Sequence, residues 1–149
     1  MRVDVALQGV ARLGVDTAPF IYYIEENPTY LARIAPIFLA ADAGQITLVT
    51  STITVAEVLI HPLRLGADDL RREYLDLFLN SANLEIQSID IEVAQRAAEL
   101  RVTHNVRLPD ALQIAAALYA GCTAFLTNDR QLGHVTDLRI LIVDELELE

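Results

Sequence analysis

Strands that alternate with helices along 149 residues predict an α/β fold, a parallel sheet covered by helices on both faces. Three observations carry this expectation. Short β-branched stretches such as QITLVTS are separated by segments whose apolar residues recur at helical spacing. The composition is 53% hydrophobic, enough for a substantial core without disulfides or structural metals. No repeat, low-complexity tract or linker rich in Pro, Gly and Ser divides the chain, so residues 1–149 read as a single domain.

A first strand is expected over Val10 to Val15, followed by the apolar helix TAPFIYYIEE, which Asn27-Pro28 should terminate. A second helix runs from about Pro28 to Ala43, with a kink at Pro36 and a stop at Gly44. QITLVTS is the second strand. TITVAEVLI follows as a helix despite its β-branched residues, because Val55, Ala56 and Leu59 suit a packed face, and His61-Pro62 should end it. Between Ala67 and Asn80, Leu70, Tyr74, Leu77 and Phe78 mark an amphipathic helix, with Asp68 and Asp69 suited to its first turn. LEIQSI is the third strand, and Asp90 caps IEVAQRAAELRVTHN, whose Ala94, Ala97 and Ala98 allow close packing. Pro109 opens a helix that ends before Gly121. TAFLT and LRILIV are the fourth and fifth strands, ahead of the acidic tail DELELE.

The net charge of −10 and a pI near 4.6 argue against coating nucleic acid by bulk electrostatics, so any phosphate ligand must be met locally. All 11 basic residues are Arg, and no Lys is present. The N-terminus carries Arg2, Asp4 and Arg12 and no apolar block of signal-peptide length, which leads to the expectation of a cytoplasmic protein. The most lipid-like stretch, Ala111 to Thr127, is interrupted by Gln113, Gly121 and Cys122 and bounded by Asp110 and Asp129; it reads as a buried helix and strand and not as a membrane span. Cys122 has no internal partner and reads as a small buried hydrophobe.

Four acidic residues stand out by position: Asp16 in GVDTAPF, Glu57 in TVAEVLI, Asp110 in LPDALQIAAA and Asp129 in FLTNDRQL. Asp16 directly follows the first strand and Asp129 lies two residues past TAFLT, so both should emerge at carboxyl ends of strands, where ligands of such sheets gather. Asp110 occupies the first turn of its helix and Glu57 the middle of another. Taken singly, each has an ordinary use: Asp16 and Asp110 as partners of helix N-termini, Asp129 in a turn, Glu57 on a solvated face. Carboxylates gathered without cations repel one another, so four that converge require a metal or a proton. An all-oxygen set points to Mg²⁺ or Mn²⁺. His61, His104 and His134 share no ligand-type spacing, and no zinc pattern, nucleophile elbow or phosphate-binding Gly loop is present. Arg107 and Arg130, each close in sequence to one of these acids, are the candidates for contact with a phosphate substrate.

In their order, VDTAPFIYYI, STITVAEVLIHP, LPDALQIAAAL and FLTNDRQL resemble the PIN domain, the ribonuclease fold of VapC-type toxins, from about Arg12 to Val143. The resemblance implies a PIN-like three-layer α/β/α sandwich with a parallel sheet of strand order 3-2-1-4-5. It implies that Asp16, Glu57, Asp110 and Asp129 are the catalytic acids and metal ligands, with Asp16 and Asp110 in direct contact with the ion. Thr127 would supply a hydroxyl beside the metal site, and Thr17 a secondary one. The activity implied is metal-assisted hydrolysis of RNA phosphodiester bonds, using Mg²⁺ or Mn²⁺. It further implies an antitoxin protein that places a basic side chain among the acids, and a homodimer formed through the early helices, for which TAPFIYYIEENPTYLARI is apolar and aromatic enough. About ten residues precede the first strand, where such toxins commonly begin, which leaves open a different start site or an additional edge element.

Two other readings compete. A phosphoaspartate enzyme needs a Lys to steady the phosphoryl group, and the dehalogenase-type pattern places a second Asp where Ala18 stands. A catalytically silent PIN-like module binding RNA or protein is separable by metal binding and turnover.

Overall fold

The computed structural model describes residues 1–148. A short helix α1 (Val3–Ala6) precedes β1 (Arg12–Val15), α2 (Thr17–Ile24), α3 (Leu31–Asp42) and β2 (Thr47–Ser51). There follow α4 (Thr52–Leu65), α5 (Asp68–Asn80), β3 (Leu84–Gln87), α6 (Ile91–His104), α7 (Leu108–Tyr119), β4 (Ala124–Thr127) and β5 (Arg139–Ile142). Single 3₁₀ turns occupy Arg130–His134 and Val143–Glu145. The strands form one parallel sheet in the order β3-β2-β1-β4-β5, as the resemblance implies.

Alternation along the strands divides the core into two layers. Leu13 and Val15 of β1, Leu48 of β2, Ala124 and Leu126 of β4 and Leu141 of β5 point to one side, where Phe20, Ile34, Phe38, Tyr74 and Phe78 cover them. Val49 and Phe125 point to the other, against Val93, Ala97 and Leu100 of α6 and the Ala111–Ala117 segment of α7. Gly14 falls on this second side. A Cβ there would stand 2.6 Å from Ala117 Cβ and 2.8 Å from Phe125 Cδ1, so the missing side chain is what lets α7 lie directly on the central strand.

Several boundaries differ from the sequence expectations. α4 continues through Pro62 to Leu65 and stops at Gly66, whose φ of 64° places it in the left-handed region. Proline costs a helix its N–H bond and clears its ring only with some distortion, but Pro62 is buried near the last turn, where packing offsets the loss and Gly66 supplies the stop. α2 ends at Ile24 and α3 begins at Leu31, because Asn27 Oδ1 accepts the backbone N–H groups of Thr29 and Tyr30 and holds residues 27–30 in a turn. Most of the apolar content of TAPFIYYIEENPTYLARI is spent internally: Phe20 and Ile34 are fully buried, and Tyr23 stacks on Phe38 with ring centroids 4.0 Å apart.

The residues before β1 form α1, which buries Val3 and Ala6. They are tied to the C-terminal segment by the parallel bridge Arg2–Glu147, and the Met1 ammonium donates to the Glu145 carbonyl at 2.7 Å. The acidic tail is accordingly part of the fold to this extent, with Leu146 buried. Among the described residues no helix is long and apolar enough to cross a membrane.

Cys122 is buried at the start of the turn into β4, and burial pushes its thiol up to about 11. It is expected to resist a colorimetric thiol reagent at mildly alkaline pH in the folded protein and to react fully once denaturant is added. Rapid reaction of the folded protein would show the site to be open.

Candidate active site

The carboxyl edge of the sheet is built first by β1 and β4, which pair directly. Asp16 leaves β1 with its backbone N–H still bonded to the Leu126 carbonyl at 2.9 Å. It caps α2 in an extended conformation, Oδ1 accepting the Thr17 N–H at 2.8 Å. The last residue of β4, Thr127, is buried and donates its hydroxyl to Asp16 Oδ2 at 2.8 Å, while its oxygen accepts the Asp129 N–H at 3.1 Å. One threonine thereby fixes both the Asp16 carboxylate and the turn that carries Asp129. Asp129 in turn accepts the Gln131 N–H and caps the following 3₁₀ turn.

The other two acids come from helices. Asp110 lies in the first turn of α7, just after Pro109, where the N-terminal dipole favours a carboxylate. Its side chain is 13% exposed and accepts from Arg107 Nε at 3.2 Å, the Arg107 side chain being 79% exposed. Glu57 lies in the middle of α4. Asp16, Glu57, Asp110 and Asp129 line one open cavity of about 520 Å³, together with Thr17, Arg107 and Thr127.

The electrostatics of this cavity are unbalanced. Burial raises the Asp16 carboxyl above its ordinary value; the hydrogen bonds from Thr127 and Thr17 pull it back, and repulsion from Asp110 and Asp129 adds to the rise. Glu57 is raised as well, first by burial, then by Asp16 and Asp110, with Arg107 opposing. Among the described residues Arg107 is the one basic side chain lining the cavity, and it is mostly in solvent.

Donor chemistry and the open shape of the cavity both bear on a metal. No three His, Cys, Asp or Glu side chains among the described residues close in tightly enough to enclose an ion unaided. Mg²⁺ seldom needs such a cage: it keeps several waters and is commonly held by one or two carboxylates plus substrate phosphate oxygens. An open cavity whose carboxylate and hydroxyl donors are all oxygen, and whose acids repel one another, fits a hydrated divalent ion of this kind.

Arg130 is not among the residues lining the cavity; its Nη1 pairs with Glu145 at 3.2 Å. His104 bonds Asp137, which also pairs with Arg96, outside the cavity lining. Sequence reasoning passed over Tyr22 and Asn128, which line the cavity and are joined by an Asn128 Nδ2 to Tyr22 Oη bond of 3.2 Å. It also passed over the buried polar group beneath Asp16, formed by Thr50, Ser51, Thr54 and Gln113. The available signal was Gln113 itself, an amide inside the apolar run ALQIAAAL.

The five-stranded order and the acidic cavity at the carboxyl edge define an α/β protein of PIN type. The PIN domain model matches residues 14–138, and the chain belongs to the PIN domain family. Among solved structures it is similar to VapBC2 from Rickettsia felis bound to a DNA fragment from their promoter, at 20% identity over 88% of this chain and 98% of that one, with a TM-score of 0.69. FitAB bound to the IR36 DNA fragment aligns at 21% identity, 91% and 97% coverage and a TM-score of 0.70. VapC20 from Mycobacterium tuberculosis, described as a Sarcin-Ricin loop cleaving toxin, aligns at 14% identity, 86% and 98% coverage and a TM-score of 0.64. At these identities the likeness is one of fold. No curated protein matches the chain.

Proposed function

We propose that the chain is a Mg²⁺- or Mn²⁺-dependent endoribonuclease acting as the toxin of a toxin–antitoxin pair. The observation that carries this reading is the convergence of four carboxylates, from the ends of β1 and β4 and from α4 and α7, on one cavity at the carboxyl edge of a PIN-domain sheet. In it Asp16 and Asp110 hold the ion, with Glu57 and Asp129 completing the acidic lining. A divalent ion there supplies a more acidic water and offsets charge that develops on the phosphoryl group. Thr127 and Thr17 hold the Asp16 carboxylate by hydrogen bonds. Glu57 and Asp129, on the same lining, are the carboxylates that would take up a proton released there. Arg107, exposed and bonded to Asp110, is the cation positioned to meet a phosphate at the mouth of the cavity.

The toxin assignment draws on the solved structures of similar fold, which include a toxin–antitoxin complex from Klebsiella pneumoniae. An antitoxin partner, a homodimer and a cytoplasmic location belong to the same reading. A groove lined by Tyr23, Ile24, Leu31, Ala35 and Leu39, with Glu26 and Glu73 also on its lining, is a mainly apolar surface on α2 and α3 available to a partner chain.

Cleavage of a mixed RNA pool, with Mg²⁺, with Mn²⁺ and with chelator, tests the reading beside Asp110→Asn. Metal-dependent cutting that falls by at least about 100-fold in the variant is expected. An Asp110→Asn variant that cuts at the parent rate would remove Asp110 from the site. No cutting under any condition, with no metal uptake by calorimetry, would make the chain a silent binding module.

A further inference from the structure

Beneath the cavity floor lies a network of hydroxyls and one amide, whose proton directions follow from its donors and acceptors. Gln113 is 4% exposed, in the segment of α7 where Ala111, Ile114 and Ala117 are buried as well. Its Oε1 is bonded to Ser51 Oγ, and its Nε2 lies 2.7 Å from Thr54 Oγ1, 3.2 Å from Thr17 Oγ1 and 3.4 Å from Asp16 Oδ1. A carboxylate has no proton to donate, so the amide must turn its nitrogen toward Asp16 and its oxygen toward Ser51. Thr50 has one hydroxyl proton and two oxygens at 2.8 Å, the Val15 carbonyl and Thr54 Oγ1. Thr50 donates toward both, so its one proton is shared between the Val15 carbonyl and Thr54 Oγ1. Thr54 Oγ1 also accepts from Gln113 Nε2, whose second N–H is shared between Thr17 Oγ1 and Asp16 Oδ1.

This arrangement spans the fold. The Val15 carbonyl belongs to β1, Thr50 and Ser51 to β2, Thr54 to α4, Thr17 to α2 and Gln113 to α7. Every element that contributes an acid to the cavity, apart from the turn after β4, therefore has a hydrogen-bonded member in the same buried group. Asp16 receives Thr127 on Oδ2, and Thr17 N–H with Gln113 on Oδ1, so both oxygens are restrained, and Oδ2, which accepts a single bond, keeps a lone pair for the cavity.

We propose that Gln113 is a positioning residue, which fixes the plane of the Asp16 carboxylate for a divalent cation and registers α7 against α2 and α4 at the site. The proposal rests on the nuclease reading above. Hydrogen-bond partners of ligating carboxylates are worth about 10- to 100-fold in metal affinity or activity, and small misplacements of a reacting group cost similar factors.

The test compares the parent chain, Gln113→Met and Tyr74→Phe. Met preserves volume and helix propensity and removes every amide contact. Tyr74→Phe removes a half-buried hydrogen bond to Glu25 that lies outside the cavity lining, and so controls for loss of stability alone. Three quantities are measured at a temperature where all three are folded: the thermal midpoint, Mn²⁺ affinity by electron paramagnetic resonance, and kcat and KM on RNA. The expected result is a lowered midpoint in both variants, with Mn²⁺ affinity and kcat falling about 10- to 100-fold in Gln113→Met alone and KM unchanged. Gln113→Met matching Tyr74→Phe in Mn²⁺ affinity and kcat would overturn the proposal and leave the nuclease reading standing. A parent that neither binds Mn²⁺ nor cuts RNA would overturn both. Should Gln113→Met fail to fold, Gln113→Glu decides on kcat: it keeps the shape and the acceptor for Ser51 but has at most one proton where the amide has two, so a lowered kcat is expected, and a parental kcat would overturn the proposal.

Discussion

Asp16→Asn is expected to abolish RNA cleavage while stabilising the metal-free protein at neutral pH. On the activity side, the loss of a charged group proposed to hold the ion should cost at least about 100- to 1000-fold in kcat, the scale seen when one preorganised electrostatic contact is removed from a reaction centre. The stability effect has the opposite sign because Asp16 ionises at a cost. Its carboxyl is raised in the folded chain by burial, with Asp110 and Asp129 adding to the rise. The folded state therefore binds its proton more tightly than the unfolded chain does, and stability is lost as pH rises from the ordinary carboxyl range through the raised value. An asparagine side chain carries no such linkage. It still offers an acceptor to the Thr17 N–H and turns Thr127 from donor to acceptor. Urea unfolding in chelator should show the Asp16→Asn variant more stable than the parent at neutral pH, with the two converging as pH falls to the point where Asp16 of the parent is protonated in both folded and unfolded states. Added Mn²⁺ should raise the parent midpoint more than the variant's. A variant less stable than the parent across the whole pH range would mean that the Asp16 contacts outweigh its burial.

Gly14→Ala is expected to be among the most destabilising small substitutions in the chain. The new methyl group would meet Ala117 Cβ at 2.6 Å and Phe125 Cδ1 at 2.8 Å, below any real Cβ contact. Neither obstacle is the free end of a flexible chain: Ala117 is fixed to the α7 backbone and Phe125 is packed in the sheet's second layer. α7 must therefore lift from β1. Overpacking of this kind costs about 3 kcal/mol or somewhat more, a drop in Tm of roughly 6 to 12 °C for a domain of this size. Because α7 carries both Asp110 and Gln113, residual activity should fall further than the folded fraction does. A thermal melt and a rate measured at low temperature separate the two effects, and a Tm within about 2 °C of the parent would show that the layers can shift freely.

The fold and the placement of much of the candidate site were legible because local signals and tertiary demands agree. The β-branched runs QITLVTS and TAFLT became β2 and β4, and the apolar spacing of residues 67–80 became α5. Asp16 and Asp129 were readable as edge residues because the strands before them end sharply. Pro62 misled, since its effect on a helix depends on how near the end lies and on what buries the ring. α1 was invisible as four residues whose stability comes from packing Val3 and Ala6 and from the tie to Glu147. Arg130, beside Asp129 in sequence, turned to Glu145, because neighbours across a turn need not share a face.

By itself the sequence determined the alternation of strands and helices, the absence of Lys, and four acids placed at the ends or along the faces of predicted elements. Those are properties of local spacing and composition. Only the tertiary structure decided that β1 and β4 are neighbours, which brings Asp16 and Thr127 within a hydrogen bond, and that α4 and α7 converge on the same edge with Glu57 and Asp110. It alone paired Gln113 with Thr17, residues 96 positions apart, because burial compels an amide to find partners wherever the packing of α7, β2 and α4 provides them.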